Sequence, residues 1–130
     1  MWTGWPLERM LLLVVGLAFL LLFIQVTLFH SRQNFRRWAM WLPVLATPVD
    51  GVISLFLVFY PVVWVRTLFS VLMWVSIAAG VYGAFLHGAG IRQRVGGFSE
   101  SQNFLVGPPI ILPLMISAMG AVGLLALYWG

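Results

Sequence analysis

Four long apolar runs constrain this chain more than any other feature of its sequence. They cover about residues 10–29, 43–63, 68–87 and 109–129. Each approaches the roughly 20 residues with which a helix crosses about 30 Å of hydrocarbon. Only 8% of the 130 residues are charged, far fewer than a water-soluble domain carries. The pattern predicts an all-α integral membrane protein with a single transmembrane domain over residues 1–130.

The ends of the runs support these boundaries, because they carry aromatic residues that favour the headgroup level of a bilayer. These residues are Trp5, Trp38, Trp41, Trp64, Tyr128 and Trp129. The connection between the second and third runs, residues 64–67, is short, which makes the flanking helices antiparallel neighbours. We therefore expect an up-and-down bundle of four transmembrane helices.

The basic residues are distributed unevenly between the two sides of this bundle. The chain has seven arginines, no lysine and three acidic residues. Five arginines fall in the two loops at about residues 30–42 and 88–108: Arg32, Arg36, Arg37, Arg92 and Arg94. Because basic loops stay on the cytoplasmic side and attract anionic lipid headgroups, both termini are predicted to be non-cytoplasmic. A bacterial inner membrane is the expected location, with lipids rather than nucleic acid as the partner of the arginines.

The two halves of the chain share a pattern that indicates two related helical hairpins. Residues 28–30 and 85–87 both combine Leu and Phe before a histidine, and an arginine loop follows each. The next helix of each half begins with prolines five positions apart, Pro43 and Pro48 or Pro108 and Pro113. Such halves would form a parallel repeat about an axis along the membrane normal. The alternative is chance agreement in a chain rich in Leu and Phe.

His30 and His87 are the only histidines, and both lie at the predicted cytoplasmic ends of their helices. Two imidazoles from different helices can hold a metal ion as the axial ligands of a b-type haem. Ser76, Gly80, Gly83 and His87 share one face of the third helix, where small residues permit close approach of a macrocycle or of another helix. The alternative is that both histidines are interfacial residues with polar tips in water.

Asp50 is the only acidic residue predicted to lie within a span, where an ionisable group is costly and is often functional. Thr47 lies on the same helix face, and Tyr82 belongs to the same half of the bilayer. These residues are candidates for a proton relay, an ion site or a quinone-headgroup site. Pairing of Asp50 with Arg36 or Arg37 is the structural alternative.

No arrangement typical of an enzyme is present. The chain has no cysteine, which excludes disulfides and thiolate chemistry, and its serines lack a histidine and carboxylate at recognisable spacing. We therefore expect a non-catalytic subunit of a larger membrane complex, respiratory or photosynthetic, with other subunits or a second copy as partner. The first alternative is a bis-His b-type haem electron carrier or a quinone-interacting membrane anchor. The second is a proton- or ion-coupled small transporter using Asp50.

Overall fold

Four α-helices make up most of the computed structural model, which describes residues 2–94, 96–102 and 109–129 and, of residue 94, the backbone alone. In chain order they are α1 (Leu7–Arg32), α2 (Trp41–Phe59), α3 (Val63–Arg94) and α4 (Ile111–Tyr128), and a single 3₁₀ turn (Trp38–Met40) leads into α2. All four are long and apolar enough to span a membrane. The prediction of an all-helical chain with four membrane-length helices is therefore confirmed.

The boundaries of the second and third helices differ from those predicted. α2 ends at Phe59 and not near residue 63, because Pro61 restricts the preceding backbone and Tyr60 leaves the helical conformation at φ −135° and ψ 75°. α3 begins at Val63 and continues past His87 to Arg94. Its last turns bury the side chain of Ile91 completely, which helps to keep this part of the chain helical.

The helices form a ring in which each helix packs against two neighbours. α1 packs against α2 and α4, and α3 also packs against α2 and α4, whereas the two diagonal pairs make little contact. This arrangement is an up-and-down bundle of two hairpins, α1 with α2 and α3 with α4. As a result, the ends of α1 and α3 meet the beginnings of α2 and α4 at one end of the bundle.

Glycines allow the two helices of each hairpin to cross closely. In the first hairpin, a Cβ atom added at Gly51 would lie 3.1 Å from the carbonyl oxygen of Gly16 and 2.8 Å from the side chain of Leu20. In the second hairpin, a Cβ atom added at Gly120 would lie 2.9 Å from the carbonyl oxygen of Met73. A side chain at Gly51 would therefore displace Leu20, and one at Gly120 would displace the backbone of α3.

An arginine lies over an aromatic ring at the other end of each hairpin. The Arg9 guanidinium lies 5.9 Å from the ring centre of Phe59, and its Nε donates a hydrogen bond to the Val58 carbonyl at 3.0 Å. The Arg66 guanidinium also lies 5.9 Å from the ring centre of Tyr128. These contacts join the first turn of one helix to the last turn of the next.

We predict that Gly51→Val destabilises the protein by about 1–3 kcal/mol, because the new side chain must push α1 away from α2. The loss is measured as a lower thermal or denaturant midpoint in detergent. Gly88→Ala in α3 is the matched control, since a Cβ atom there meets nothing within 4 Å. A Gly51→Val protein as stable as the Gly88→Ala protein would show that the crossing is not tight.

Candidate functional site

A cavity of about 120 Å³ opens at the end of the bundle where α1 and α3 finish. All four helices contribute to its walls, together with the segment that joins α1 to α2. Most of the lining is apolar, and part of the α3 wall consists of the small residues Ala79, Gly80 and Gly83. The cavity is much larger than the space for one water molecule and can accept part of an organic ligand.

His30 belongs to the last turn of α1 and lines this cavity with 8% of its surface exposed. Its Nδ1 lies 2.8 Å from the carbonyl oxygen of Met40, at the start of α2. The ring also packs edge-to-face against Phe35, with 6.3 Å between ring centres. The connection between α1 and α2 therefore fixes the orientation of the imidazole.

His87 lines the same cavity, but it lies about two turns before the end of α3 and not at the helix end as predicted, because α3 continues to Arg94. Its Nδ1 lies 2.5 Å from the carbonyl oxygen of Pro109, just before α4. The structure thus brings together the two histidines that the sequence singled out, each held by the first residues of the following helical segment.

These hydrogen bonds determine which nitrogen of each neutral ring carries the proton. A carbonyl oxygen can only accept, so Nδ1 must be the N–H donor and Nε2 must carry the lone pair. A histidine whose second nitrogen donates to a backbone carbonyl is the usual arrangement for a metal ligand, because the hydrogen bond fixes the ring and raises its basicity. The cavity therefore has two oriented imidazoles with basic Nε2 atoms.

Within the described part of the chain, no group of three or more His, Asp or Glu side chains lies close enough to hold a metal ion. A bare zinc ion prefers four protein ligands, or three together with water. A haem supplies four nitrogens itself and requires only two axial ligands from the protein. Of these two kinds of metal centre, the pair of histidines suits the haem better.

The predicted headgroup arginines lie near the opening of the cavity or on the surface beside it. Arg37 is a lining residue, and Arg32, Arg36 and Arg92 are exposed. Arg92 lies on α3 and not in a loop as predicted, because the helix extends to Arg94. The side chain of Arg94 is outside the described residues.

Asp50 lies inside the bundle with 1% of its surface exposed. The Ser76 hydroxyl on α3 donates a hydrogen bond to its Oδ2. Among the described residues this is the only hydrogen bond to the carboxyl group, and none of the described arginine side chains forms an ion pair with it. Ser76 also lines the cavity, so the carboxyl group is one hydrogen bond away from it.

Neither of the residues predicted to accompany Asp50 bonds to its carboxyl group, although Thr47 is buried one turn away on the same helix face. The Thr47 hydroxyl donates to the carbonyl of Pro43 in its own helix at 2.6 Å. Tyr82 lines the cavity and is 45% exposed. The sequence placed Ser76 on the same helix face as His87, but it did not identify Ser76 as the partner of Asp50, since that contact depends on how α2 and α3 are rotated.

Comparison of the chain with known protein families, with curated proteins and with solved structures finds no match. The fold and the site define a chain with four membrane-length helices and a cavity between two histidines. Asp50 and Ser76 connect this cavity to the interior of the bundle.

We predict that Ser76→Ala lowers the free energy of unfolding by about 1–3 kcal/mol, because the buried carboxyl group of Asp50 loses its hydrogen bond. Denaturant titration in detergent measures the loss. Ser54→Ala is the matched control, since that hydroxyl donates to the backbone carbonyl of Asp50 and not to its side chain. Equal stability of the two variants would contradict the assigned hydrogen bond.

Proposed function

We propose that this chain crosses a bilayer four times and holds a b-type haem between His30 and His87, as an electron carrier within a larger membrane assembly. One observation carries the proposal. The two imidazoles line a single apolar cavity, and both are oriented by carbonyl groups that leave Nε2 as the basic nitrogen. The cofactor supplies the one-electron chemistry of iron, while the protein supplies ligands, an apolar environment and position.

Membrane insertion is supported by the outward faces of the helices. Large apolar side chains cover these faces. The side chains that are more than 60% exposed include Leu21, Val63, Trp74, Phe85 and Leu125. In water such a surface would cause aggregation, whereas lipid tails cover it without cost. The helices themselves satisfy most of their backbone hydrogen bonds internally, as a spanning segment must.

The orientation that we propose follows from the arginines. Arg32, Arg36, Arg37 and Arg92 belong to the cavity end of the bundle and would face the cytoplasm of a bacterial cell. Arg9, at the opposite end, donates its hydrogen bonds to carbonyl groups of the chain, at Val58 and Gly4. Both termini would then lie on the non-cytoplasmic side of the inner membrane.

We also propose that the two hairpins are copies of one unit. Three contacts occur once in each hairpin. An arginine lies over an aromatic ring (Arg9 on Phe59, Arg66 on Tyr128), and a glycine lies against a carbonyl group (Gly51 on Gly16, Gly120 on Met73). A histidine also donates a hydrogen bond to a carbonyl group (His30 to Met40, His87 to Pro109). All three pairs give the same alignment of the two hairpins. Residues of the first helix are 57 positions apart in the chain, and residues in or just before the second helix are 69 positions apart.

This register replaces the one that the prolines indicated. Matching Pro43 and Pro48 with Pro108 and Pro113 requires a shift of 65 positions, and Pro108 is outside the described residues. The contacts instead match Pro43 with Leu112. A parallel repeat of this kind has an approximate two-fold axis along the bundle. The two histidines would be related by that axis and lie at equal depth.

The cavity, at about 120 Å³, has room for only part of a haem in this structure. Because Ser117 and Pro113 of α4 pack directly against Gly80 and Gly83, a macrocycle beside α3 requires α4 to move outward. Arg37, among the lining residues, carries a charge that can pair with the propionate groups. No other cation is needed within the apolar part of the site.

The proposal predicts a coloured protein. Purified after haem-replete expression, it should bind one haem per chain and show the absorption spectrum of a six-coordinate low-spin iron in both oxidation states. His30→Ala and His87→Ala should each weaken haem binding at least tenfold, about 1.4 kcal/mol. Tyr82→Phe is the control, because it changes the cavity wall without removing an imidazole. A colourless wild-type preparation would refute the haem site.

Association provides a separate test of the proposed assembly. An electron carrier without a reaction site of its own requires a donor and an acceptor, so we expect the protein to migrate with other subunits after extraction in a mild detergent. Native electrophoresis followed by mass spectrometry measures this. Migration only as a monomer or as a homo-oligomer would contradict the assembly while leaving the haem site intact.

A further inference from the structure

The outward face of α1 carries a regular row of large apolar side chains, which we call the outer α1 row. Its members, between 45% and 68% exposed, are Met10, Val14, Leu17, Leu21, Ile24 and Leu28. They follow one another at alternating intervals of four and three positions. Two helices pack along such a row in a left-handed coiled coil, because a seven-residue repeat keeps one face toward the partner. The row therefore has the form of a helix-packing surface.

A carboxamide lies at the edge of this row. Gln25 directly follows Ile24, and its side chain is exposed on the outside of the bundle. It lies four residues before the end of the apolar run at residue 29, which is a depth of about 6 Å. Because the Cα–Cβ bonds of a helix tilt toward its N-terminus, the Cβ atom of Gln25 is directed away from the nearer membrane surface. In the proposed bilayer arrangement, the amide therefore lies within hydrocarbon.

The amide of Gln25 forms no hydrogen bond with any group that the structure describes. Lipid tails offer neither a donor nor an acceptor, so an unpaired amide at this depth is costly. The outward face of α2 differs in this respect. From Leu45 to Phe56, a stretch that the structure describes completely, every exposed residue is apolar. Lipid alone can cover that face of α2, whereas the face of α1 requires a polar partner.

We infer that the outer α1 row is the interface between two copies of this chain, with Gln25 of one copy hydrogen-bonded to Gln25 of the other. The inference rests on the proposed membrane insertion and not on the haem. Copies inserted in the same orientation meet with parallel α1 helices, so a two-fold axis along the membrane normal places identical residues opposite each other at equal depth.

An amide is complementary to itself, which makes a second copy the partner that fits Gln25. The oxygen of each amide accepts a hydrogen bond from the nitrogen of the other, so both groups are satisfied by one symmetric contact. A different transmembrane protein would need a polar group at this one depth. A second copy always has one there.

Cysteine cross-linking tests the interface without background, because the chain contains no cysteine. We expect Leu21→Cys and Leu28→Cys to form disulfide-linked dimers when membranes of the expressing cells are oxidised with copper phenanthroline. Leu45→Cys on α2 is the matched control and should give much less dimer. Leu45 is 62% exposed, and both it and Leu28 lie four residues from the cavity end of their helix. Equal cross-linking at Leu45 and the two α1 positions would overturn the inference.

The role of the amide is tested by the strength of association. Energy transfer between labelled copies in lipid vesicles measures the dimer fraction as the ratio of protein to lipid is varied. Gln25→Leu should weaken the dimer about tenfold, because two interhelical hydrogen bonds are lost. Gln25→Asn keeps a carboxamide and should retain most of the association. A Gln25→Leu protein that associates as strongly as the wild type would refute the contact between the amides.

Extraction with alkaline carbonate separates failure of this inference from failure of the proposed membrane insertion. A chain that stays in the membrane but gives no cross-linked dimer is inserted without this interface, which overturns the inference alone. A chain that carbonate removes from the membrane refutes insertion and the inference together. A disulfide between Leu21→Cys and a different protein, identified by mass spectrometry, assigns the outer α1 row to another subunit and also overturns the inference.

Discussion

Close helix crossing at glycine determines how this bundle places its polar groups. Where Gly51 meets Gly16 and Gly120 meets Met73, the backbones approach so nearly that rotation and depth of each helix are defined. With the rotation defined, Asp50 faces Ser76 across the neighbouring interface, and the two histidines face one cavity. Asp50 directly precedes the glycine of the first crossing, whereas each histidine lies about four turns along its helix from a crossing.

The carbonyl groups of Met40 and Pro109 fix the two histidines at the cavity end of the bundle. Both precede a helix and accept a hydrogen bond from a histidine of the preceding helix, so they close each hairpin at the cavity end. The same bond selects the tautomer in which Nε2 is basic. One hydrogen bond in each half of the molecule thus both closes the hairpin and sets the histidine tautomer that the proposed haem site requires.

The structural features that depend on local composition could be predicted from the sequence. Four apolar runs predicted four helices, and the structure lines one cavity with both His30 and His87. The pairing of Asp50 with Ser76 could not be predicted, because it depends on helix rotation. The proposed register, which matches Pro43 with Leu112, differs from the one that Pro43 and Pro108 indicate, because prolines near a helix start follow local backbone preference and not the packing between helices.

The central claim is that both histidines bind the same iron. Electron paramagnetic resonance and near-infrared magnetic circular dichroism of the oxidised, haem-loaded protein identify axial ligands directly. We predict a low-spin ferric signal typical of two imidazole ligands, lost when either histidine is replaced. A high-spin signal in the wild type, or a low-spin signal that persists without His30 or without His87, would contradict it.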